Sequence, residues 1–219
     1  MIDFHTHTLF SDGELIPAEL VRRCEAKGYR AVVIADHVDH STLDFVIPRV
    51  ARVSKALAKR TGVVVVPGAE LTHVPPQDVK RLVAEARRLG ARVVLVHGET
   101  IVEPVAPGTN RAAIEAGADV LAHPGLLTPR DAKEAAKRGV LLEISGRKGH
   151  SLTNGHVARL AREAGAGMVF GSDAHEPGDL LTREQAMAIL AGTGLDGESA
   201  AEVFRNAERK LRLPEAVLA

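Results

Sequence analysis

The chain opens with MIDFHTHTLFSDG (Met1–Gly13), in which a short apolar strand leads directly into two histidines and then an aspartate. Residues two apart in an extended strand project to the same side, so His5 and His7 direct their imidazoles toward one point. Imidazole and carboxylate are the usual ligands of zinc, iron and manganese, and Asp12 follows after a short link. An HxH pair alone also fits exposed histidines on a strand edge, so the rest of the chain decides between these interpretations.

Short apolar runs rich in Val, Ile and Leu recur along the chain, with segments of helical periodicity between them. This alternation predicts parallel strands joined by helical crossovers. The predicted strands are Ile2–His5, Ala31–Asp36, Val63–Glu70, Arg92–His97, Val120–His123, Val140–Ser145 and Met168–Asp173. The predicted helices are Glu14–Lys27, Gln77–Leu89, Pro129–Arg138, Asn154–Ala164, Thr182–Leu190 and Glu198–Leu211.

Seven strand-and-helix units within 219 residues leave little room for a second domain, and no linker or low-complexity segment marks a boundary. We therefore predict one domain over residues 1–219, with a barrel to about residue 191 and a C-terminal helix at about 198–212. The alternatives are a closed barrel and an open doubly wound sheet. No GxGxxG motif follows the first strand, which argues against the dinucleotide-binding version of the open sheet. In both architectures the functional site lies where the strands end.

Composition restricts the classes of partner. Basic and acidic side chains balance at 28 each and aromatic residues make up 3%, so no long nucleic acid is expected to bind. The single cysteine, Cys24, excludes a disulfide within the chain and favours a reducing compartment. No signal-peptide pattern and no apolar run near the roughly 20 residues that span a bilayer are present. The protein is predicted to be cytoplasmic and without a membrane partner, and no feature indicates an oligomeric state.

Histidines and acids stand at the ends of six of the seven predicted strands. Each one alone could be a solvated surface group. Nine of them at one mouth would need metal ions or protons to offset their repulsion and desolvation. Nine ligands exceed what one ion takes when positions stay open for water and substrate, so two or three ions sharing a carboxylate are predicted. The nine residues are His5, His7, Asp12, His37, Glu70, His97, His123, Asp173 and His175.

The sixth strand ends in Glu143–Ser145 and is followed by a basic loop. Nitrogen donors and a guanidinium at a strand end suit a phosphate oxyanion, although a solvated basic loop is the alternative. The candidate substrate-binding residues are Arg147, Lys148 and His150.

Three histidines remain outside both sets. His40, three residues after His37, is predicted to be a solvated loop residue. His73 could equally line the rim of the site or face solvent. His156 lies within a predicted helix and is expected at the surface or behind the site residues.

The ordered set HTH…SDG…DH…GAE…H…AHPG…SDAH, from His5 to His175, resembles the PHP (polymerase and histidinol phosphatase) superfamily of metal-dependent phosphoesterases. The resemblance implies a distorted (β/α)7 TIM-like barrel with a trinuclear metal centre. The stretches HGETIVEPVAPGTN and EISGRKGHSLTNGH resemble a small, histidinol-phosphatase-like branch rather than the polymerase-embedded domain. In that branch the basic loop would hold the phosphate.

The resemblance also implies how the ligands divide among two to three divalent ions of zinc, iron or manganese. The first position would use His5, His7, Glu70 and Asp173. The second would share Glu70 and add His97 and His123. The third would use Asp12, His37 and His175. Some relatives have histidine where Asp12 stands, which leaves the metal preference of the third position open. Catalysis would be carried by Glu70, Asp173 and His175.

The expected reaction is hydrolysis of a small phosphomonoester, similar to histidinol phosphate, by a hydroxide that bridges two ions, with Arg147 clamping the phosphate. The first alternative is a nucleotide phosphoesterase or nuclease that uses the same centre, although a long strand would require aromatic stacking and a basic track. The second is a noncatalytic RNA-binding subunit of a ribonucleoprotein. That role would tolerate lost ligands and favour a basic surface, and the sequence has neither feature.

Overall fold

The computed structural model describes residues 1–213, so the last six residues of the predicted domain lie outside the described part of the chain. Parallel strands alternate with helices and form a nearly closed barrel, as predicted. The barrel strands are β1 (Ile2–Thr6), β2 (Ala31–Ile34), β4 (Val64–Leu71), β5 (Val93–His97), β6 (Val120–Ala122), β7 (Leu141–Ser145) and β8 (Met168–Gly171). A two-residue strand, β3 (His37–Val38), follows β2 and pairs with the end of β4.

The barrel closes between its first and last strands. Neighbouring strands follow the order β1-β2-β4-β5-β6-β7-β8, and Thr6 bridges to Ala174 just past β8. The N–H of His7 donates to the carbonyl of Ala174 (2.9 Å), and the N–H of Asp173 donates to the carbonyl of His5 (2.8 Å). The seam between β1 and β8 therefore runs directly beside four of the predicted ligands.

The helices surround the strands and mostly agree with the sequence signals. They are α1 (Pro17–Ala26), α2 (Leu43–Leu57), α3 (Pro76–Leu89), α4 (Thr109–Ala116), α5 (Pro129–Arg138), α6 (Asn154–Ala164), α7 (Arg183–Gly192) and α8 (Gly197–Leu211). The hydroxyl of Thr128 caps α5 by accepting from the N–H of Asp131 (3.1 Å). Thr182 and Gln185 form a capping box at the start of α7.

Two helices are absent from the sequence prediction, and one starts later than predicted. Helix α2 contains Pro48, which removes a backbone donor and argues against a helix in a sequence pattern. Helix α4 has only 8 residues and follows the Pro107-Gly108 pair, so its periodicity is short. Helix α1 starts at Pro17 rather than Glu14, because proline is well suited to the first helical position.

Alternate strand residues form two apolar clusters. One packs against the surrounding helices, and the other fills the barrel interior with side chains such as Phe4, Val33 and Leu95, which are 0% exposed. Helix α8 covers the end where the strands begin, since Lys210 pairs with Asp119 (2.7 Å) just before β6. The packed interior leaves the opposite mouth, where the strands end, as the place for polar chemistry. Within residues 1–213, no helix is both long and apolar enough to span a bilayer.

Candidate metal centre

All nine predicted ligands meet at the C-terminal mouth of the barrel. Their donor atoms form four overlapping groups in which the atoms lie within 4.8 Å of one another. The groups are His5, His7 and Glu70; His5, His123 and Asp173; Glu70, His97 and His123; and His7, Asp12, His37 and His175. The overlap at Glu70 agrees with the expectation that this carboxylate is shared between two positions.

The separations between donor atoms fit ions bound between them. Two ligand atoms that each lie about 2.1 Å from one ion are about 3.0–3.4 Å apart. The Nε2 atom of His5 lies 3.3 Å from Glu70 Oε2, and that of His7 lies 3.2 Å from Asp173 Oδ1. His123 Nε2 is 3.5 Å from the other oxygen of Glu70. These contacts join the sets assigned to the first and second positions.

Asp12 lies with the residues expected at the third position. Its Oδ1 atom lies 3.2 Å from His175 Nε2 and 3.5 Å from His37 Nε2. The Asp12 side chain is 57% exposed, whereas Glu70 is fully buried, so the third position is the one most open to solvent. The opening loop therefore contributes candidate ligands to two different groups of donor atoms.

Several of the donor atoms have no other function in the described residues. The Nε2 of His5, both ring nitrogens of His7 and Oε1 of Glu70 are buried and have no hydrogen-bond partner within residues 1–213. An unsatisfied buried polar atom costs about 1–3 kcal/mol. Divalent ions at this mouth would satisfy these atoms, so the residues present fit a multinuclear metal centre.

Asp36 organises the loop that carries Asp12. Its carboxylate accepts from the N–H of Thr8 (2.6 Å), the hydroxyl of Thr8 (2.8 Å) and the hydroxyl of Ser11 (2.9 Å). These three bonds turn the chain sharply after His7. The turn is what brings Asp12 back over the mouth.

Two ligands have a backbone conformation that side chains rarely adopt. The φ angle is +26° at His123 and +56° at Asp173, in the left-handed region that normally favours glycine. Such conformations cost about 1–3 kcal/mol each and persist where the surroundings impose them. His123 directly follows β6 and Asp173 lies two residues past the end of β8, where the strain turns each side chain into the mouth.

Glu143 is a buried carboxylate behind the ligands. Its Oε1 accepts from His5 Nδ1 (2.8 Å), and its Oε2 accepts from the backbone N–H of His123 (2.9 Å). The first bond keeps the proton on Nδ1 and leaves His5 Nε2 free as a donor to metal. A Cβ atom at Gly171 would overlap both Glu143 Oε1 and His5 Cβ, which explains the glycine.

Burial and the neighbouring charges set the ionisation of the cluster. Burial disfavours the imidazolium of His5, but Glu70, Glu143 and Asp173 outweigh it and raise its pKa well above the usual value. At His7 burial dominates and lowers the pKa to about 3. Burial works against the charged form of Glu70 too, yet His5 and His37 hold the pKa of that carboxyl well below its usual range. Cationic charge is therefore what stabilises the central carboxylate.

The basic loop lies on one side of the mouth. Arg147 and His150 line the same cavity of about 260 Å³ as the ligands, whereas Lys148 lines a neighbouring outer depression. The Arg147 Nη1 atom donates to the carbonyl of Asp173 (3.0 Å), which anchors the guanidinium beside His175. Of the three predicted substrate-binding residues, the structure brings two to the cavity.

The remaining histidines differ in position. His73 lines the cavity, which favours the rim over a purely solvated role. His40 is exposed and pairs with Asp78 (3.1 Å), and His156 Nε2 faces the carbonyl of Leu127 (2.7 Å) outside the cavity. Three further residues near the centre had no predicted role from the sequence: Asp36, Glu103 and Glu143. Asp36 and Glu143 stand at the ends of predicted strands, and this position could have indicated that they lie near the site.

A parallel barrel with this donor set at its mouth defines the metal-dependent, phosphoesterase-like class of barrels. The chain belongs to the PHP domain family, whose sequence profile matches residues 3–98. It is 45% identical over 195 residues to an uncharacterized protein, MJ1295, of Methanocaldococcus jannaschii, a match that covers 88% of this chain and 89% of the relative. The expected superfamily is thereby confirmed.

The solved structures that share the fold include the following two. A chain in a cryo-EM structure of archaeal ribonuclease P with mature tRNA matches with a TM-score of 0.74 and 18% identity, covering 96% of this chain and 89% of that one. Histidinol phosphate phosphatase from Lactococcus lactis, complexed with zinc, L-histidinol and phosphate, matches with a TM-score of 0.59 and 15% identity, covering 89% and 94%. Identities this low extend the likeness to the fold alone.

Proposed function

We propose that the protein is a metal-dependent phosphatase that hydrolyses a small phosphomonoester. The observation that carries this proposal is the convergence of nine metal-type ligands on the barrel mouth, where six of them line one small cavity together with the anchored guanidinium of Arg147. Zinc, iron or manganese would be held in two to three positions by His5, His7, Asp12, His37, Glu70, His97, His123, Asp173 and His175. When bound, such ions supply Lewis acidity and lower the pKa of coordinated water toward neutrality.

Arg147 would bind and orient the phosphoryl group. Its anchor on the carbonyl of Asp173 holds the guanidinium at the lip of the cavity, with donors available for a phosphate dianion. His150 lines the same cavity and lies close to His123, with a ring separation of 4.0 Å. Burial, followed by the charge of His123, lowers the pKa of His150 to about 4, so it would approach a phosphate as a neutral hydrogen-bonding ring.

Glu70, Asp173 and His175 would have the catalytic roles. Glu70 and Asp173 are ionised and buried, and they would fix the shared and first positions relative to the phosphoryl group. His175 lies between Asp12 and Arg147, at the exposed side of the mouth where a leaving alcohol would depart. Lys148, in the outer depression, would attract the substrate rather than touch its phosphate.

The size of the cavity favours a small substrate. Ligand sites for small molecules are typically about 300–1,000 Å³, and a cavity of about 260 Å³ suits a compact phosphate ester. A substrate similar to histidinol phosphate is the first choice because the basic loop resembles that branch. A mononucleotide is the alternative within the same chemistry.

An assay of the metal-loaded protein tests the proposal. Metal content is measured by elemental analysis after chelator-free purification, and turnover is measured on a panel of phosphomonoesters, mononucleotides and short oligonucleotides. We expect at least two ions per chain and fastest turnover of a small monoester, with Arg147→Ala raising KM more than Lys148→Ala does. A fully loaded protein that hydrolyses none of these compounds would refute the phosphatase proposal.

The fold shared with a chain of the archaeal ribonuclease P structure raises a second candidate function, that of an RNA-binding subunit. A noncatalytic RNA-binding subunit would need a basic face and would have no use for nine converging ligands. The chain instead has balanced charge and a complete donor set. Binding of a structured RNA at physiological salt by metal-free and metal-loaded protein alike would favour that function over hydrolysis.

A further inference from the structure

The loop between β5 and α4 brings an additional carboxylate to the mouth. Glu103 lines the cavity with a side chain that is 36% exposed. Its Oε2 lies 3.1 Å from His97 Nε2 and 3.3 Å from His73 Nε2, and its Oε1 lies 3.1 Å from His150 Nε2. A carboxylate that faces a phosphate-binding cavity repels the substrate unless a cation lies between them, so its presence needs an explanation.

The loop that carries Glu103 is held in place at its base. The side chain of Glu99 accepts from the N–H groups of Gly108 (3.0 Å) and Asn110 (2.8 Å) at the start of α4. The amide of Asn110 in turn donates to the carbonyl of Pro124, in the loop after β6 (2.8 Å). The position of Glu103 is therefore built into the fold.

We propose that Glu103 is a tenth metal ligand, which binds at the second position beside Glu70, His97 and His123. This inference rests on the metal centre of the proposed function and does not depend on which ester is hydrolysed.

The separations support a shared ion. The 3.1 Å between Glu103 and His97 falls in the same range as the 3.3 Å between His5 and Glu70 and the 3.2 Å between His7 and Asp173. Such separations are those of neighbouring ligand atoms on one ion. The second position otherwise has only three protein ligands, one of which is shared with the first. An additional carboxylate would therefore raise both its charge and its ligand number.

The neighbouring His73 offers a competing arrangement. His73, His97 and Glu103 also form a group with donor atoms within 4.8 Å, which could hold an ion of its own at the rim. That ion would compete for His97, a ligand that belongs with the buried Glu70 and His123. His73 is also 44% exposed, whereas His97 and His123 are buried. The donor atoms of Glu103 group with those of His73 and His97, and His97 links them to Glu70 and His123. The sharing of His97 therefore carries the assignment of Glu103 to the second position, with His73 as a hydrogen-bond partner.

Metal retention tests the assignment without relying on turnover. Full-length wild type, Glu103→Gln and His73→Gln are loaded with Co²⁺ and dialysed against a graded chelator, and ions per chain are measured by elemental analysis. We expect Glu103→Gln to release one equivalent at a chelator concentration at least about tenfold lower than wild type requires. The visible absorption of the bound Co²⁺ changes in the same variant, because its coordination changes. His73→Gln retains its ions and its spectrum as wild type does.

Three results would overturn the assignment. Wild-type retention in Glu103→Gln means that the carboxylate binds no ion. Weaker retention with an unchanged cobalt spectrum means that Glu103 only orients His97. Loss of the same equivalent in His73→Gln means that the ion lies at the rim. Each leaves the phosphatase proposal standing, whereas fewer than two ions in the wild type would remove both. Circular dichroism checks that each variant is folded.

Discussion

Replacing Glu143 by glutamine should weaken metal binding without changing any ligand. The side chain is fully buried, and its two oxygens accept from His5 Nδ1 (2.8 Å) and from the N–H of His123 (2.9 Å). Glutamine has nearly the same shape but only one acceptor. If its oxygen faces His123, its NH2 group faces His5 Nδ1 and favours the tautomer with the proton on Nε2. If it is flipped, two N–H groups face each other at His123.

The magnitude follows from the lost interaction. A hydrogen bond to a charged group is worth about 1.5–3 kcal/mol, and each 1.36 kcal/mol corresponds to a factor of ten. We therefore expect the affinity for the ion at the first position to fall roughly 10- to 150-fold. This range agrees with the 10- to 100-fold losses typical when a carboxylate behind a metal-binding histidine is changed.

The assay compares Glu143→Gln with wild type and with Glu115→Gln, an exposed control on α4. Ions per chain are measured by elemental analysis after equilibration with a competing chelator, and urea unfolding of the metal-free proteins reports the fold. Wild-type affinity in a folded Glu143→Gln protein would show that the tautomer of His5 does not control binding.

The other predictions concern stability. Phe4→Ala, in the barrel interior, should lower the free energy of unfolding by about 3–5 kcal/mol in urea denaturation, and a cost below about 1 kcal/mol would contradict the packed interior. Burial raises the pKa of the Cys24 thiol above its ordinary value of 9.0. The native thiol therefore stays protonated at a pH where the unfolded thiol ionises, and the free energy of unfolding falls as the pH rises above 9. This loss reaches about 1.4 kcal/mol at pH 10 and should be absent when the free energy of unfolding of Cys24→Ala is measured against pH. The same alkaline loss in Cys24→Ala as in the wild type would contradict this origin. Chelation should lower the melting temperature of the metal-loaded protein. The lost free energy of unfolding is about 2.7 kcal/mol for each ion present at 100 times its Kd, and an unchanged melting temperature would argue against a resident metal.

Much of the barrel could be predicted because its strands are buried on both faces and appear as uninterrupted apolar runs. The convergence of the nine candidate ligands could be predicted because they stand at or near the points where those runs end, as His97 does after Val93–Val96. Helix α2 could not be predicted from the sequence, because Pro48 lies inside it and only tertiary packing compensates for the missing backbone donor.

The contacts of Glu103 also could not be predicted from the sequence. The residue lies in the middle of a loop rather than at a strand end, and nothing in HGETIVEPVAPGTN distinguishes it from Glu99. The two glutamates differ only in the folded chain, where Glu99 turns back to the start of α4 and Glu103 reaches His97. Likewise, Arg147 and Lys148 are adjacent basic residues in the sequence, and only the folded chain shows that Arg147 is anchored on Asp173 and lines the cavity, whereas Lys148 does not line it.

The seam between β1 and β8 has a consequence for the order in which the metal positions arise during synthesis. Glu70, His97 and His123 lie on three neighbouring strands in the middle of the chain. In the proposed centre, the first and third positions would each need Asp173 or His175, which emerge from the ribosome later and reach β1 only when the barrel closes. We therefore expect a nascent chain to complete its second position first, with ion capture there preceding closure of the barrel.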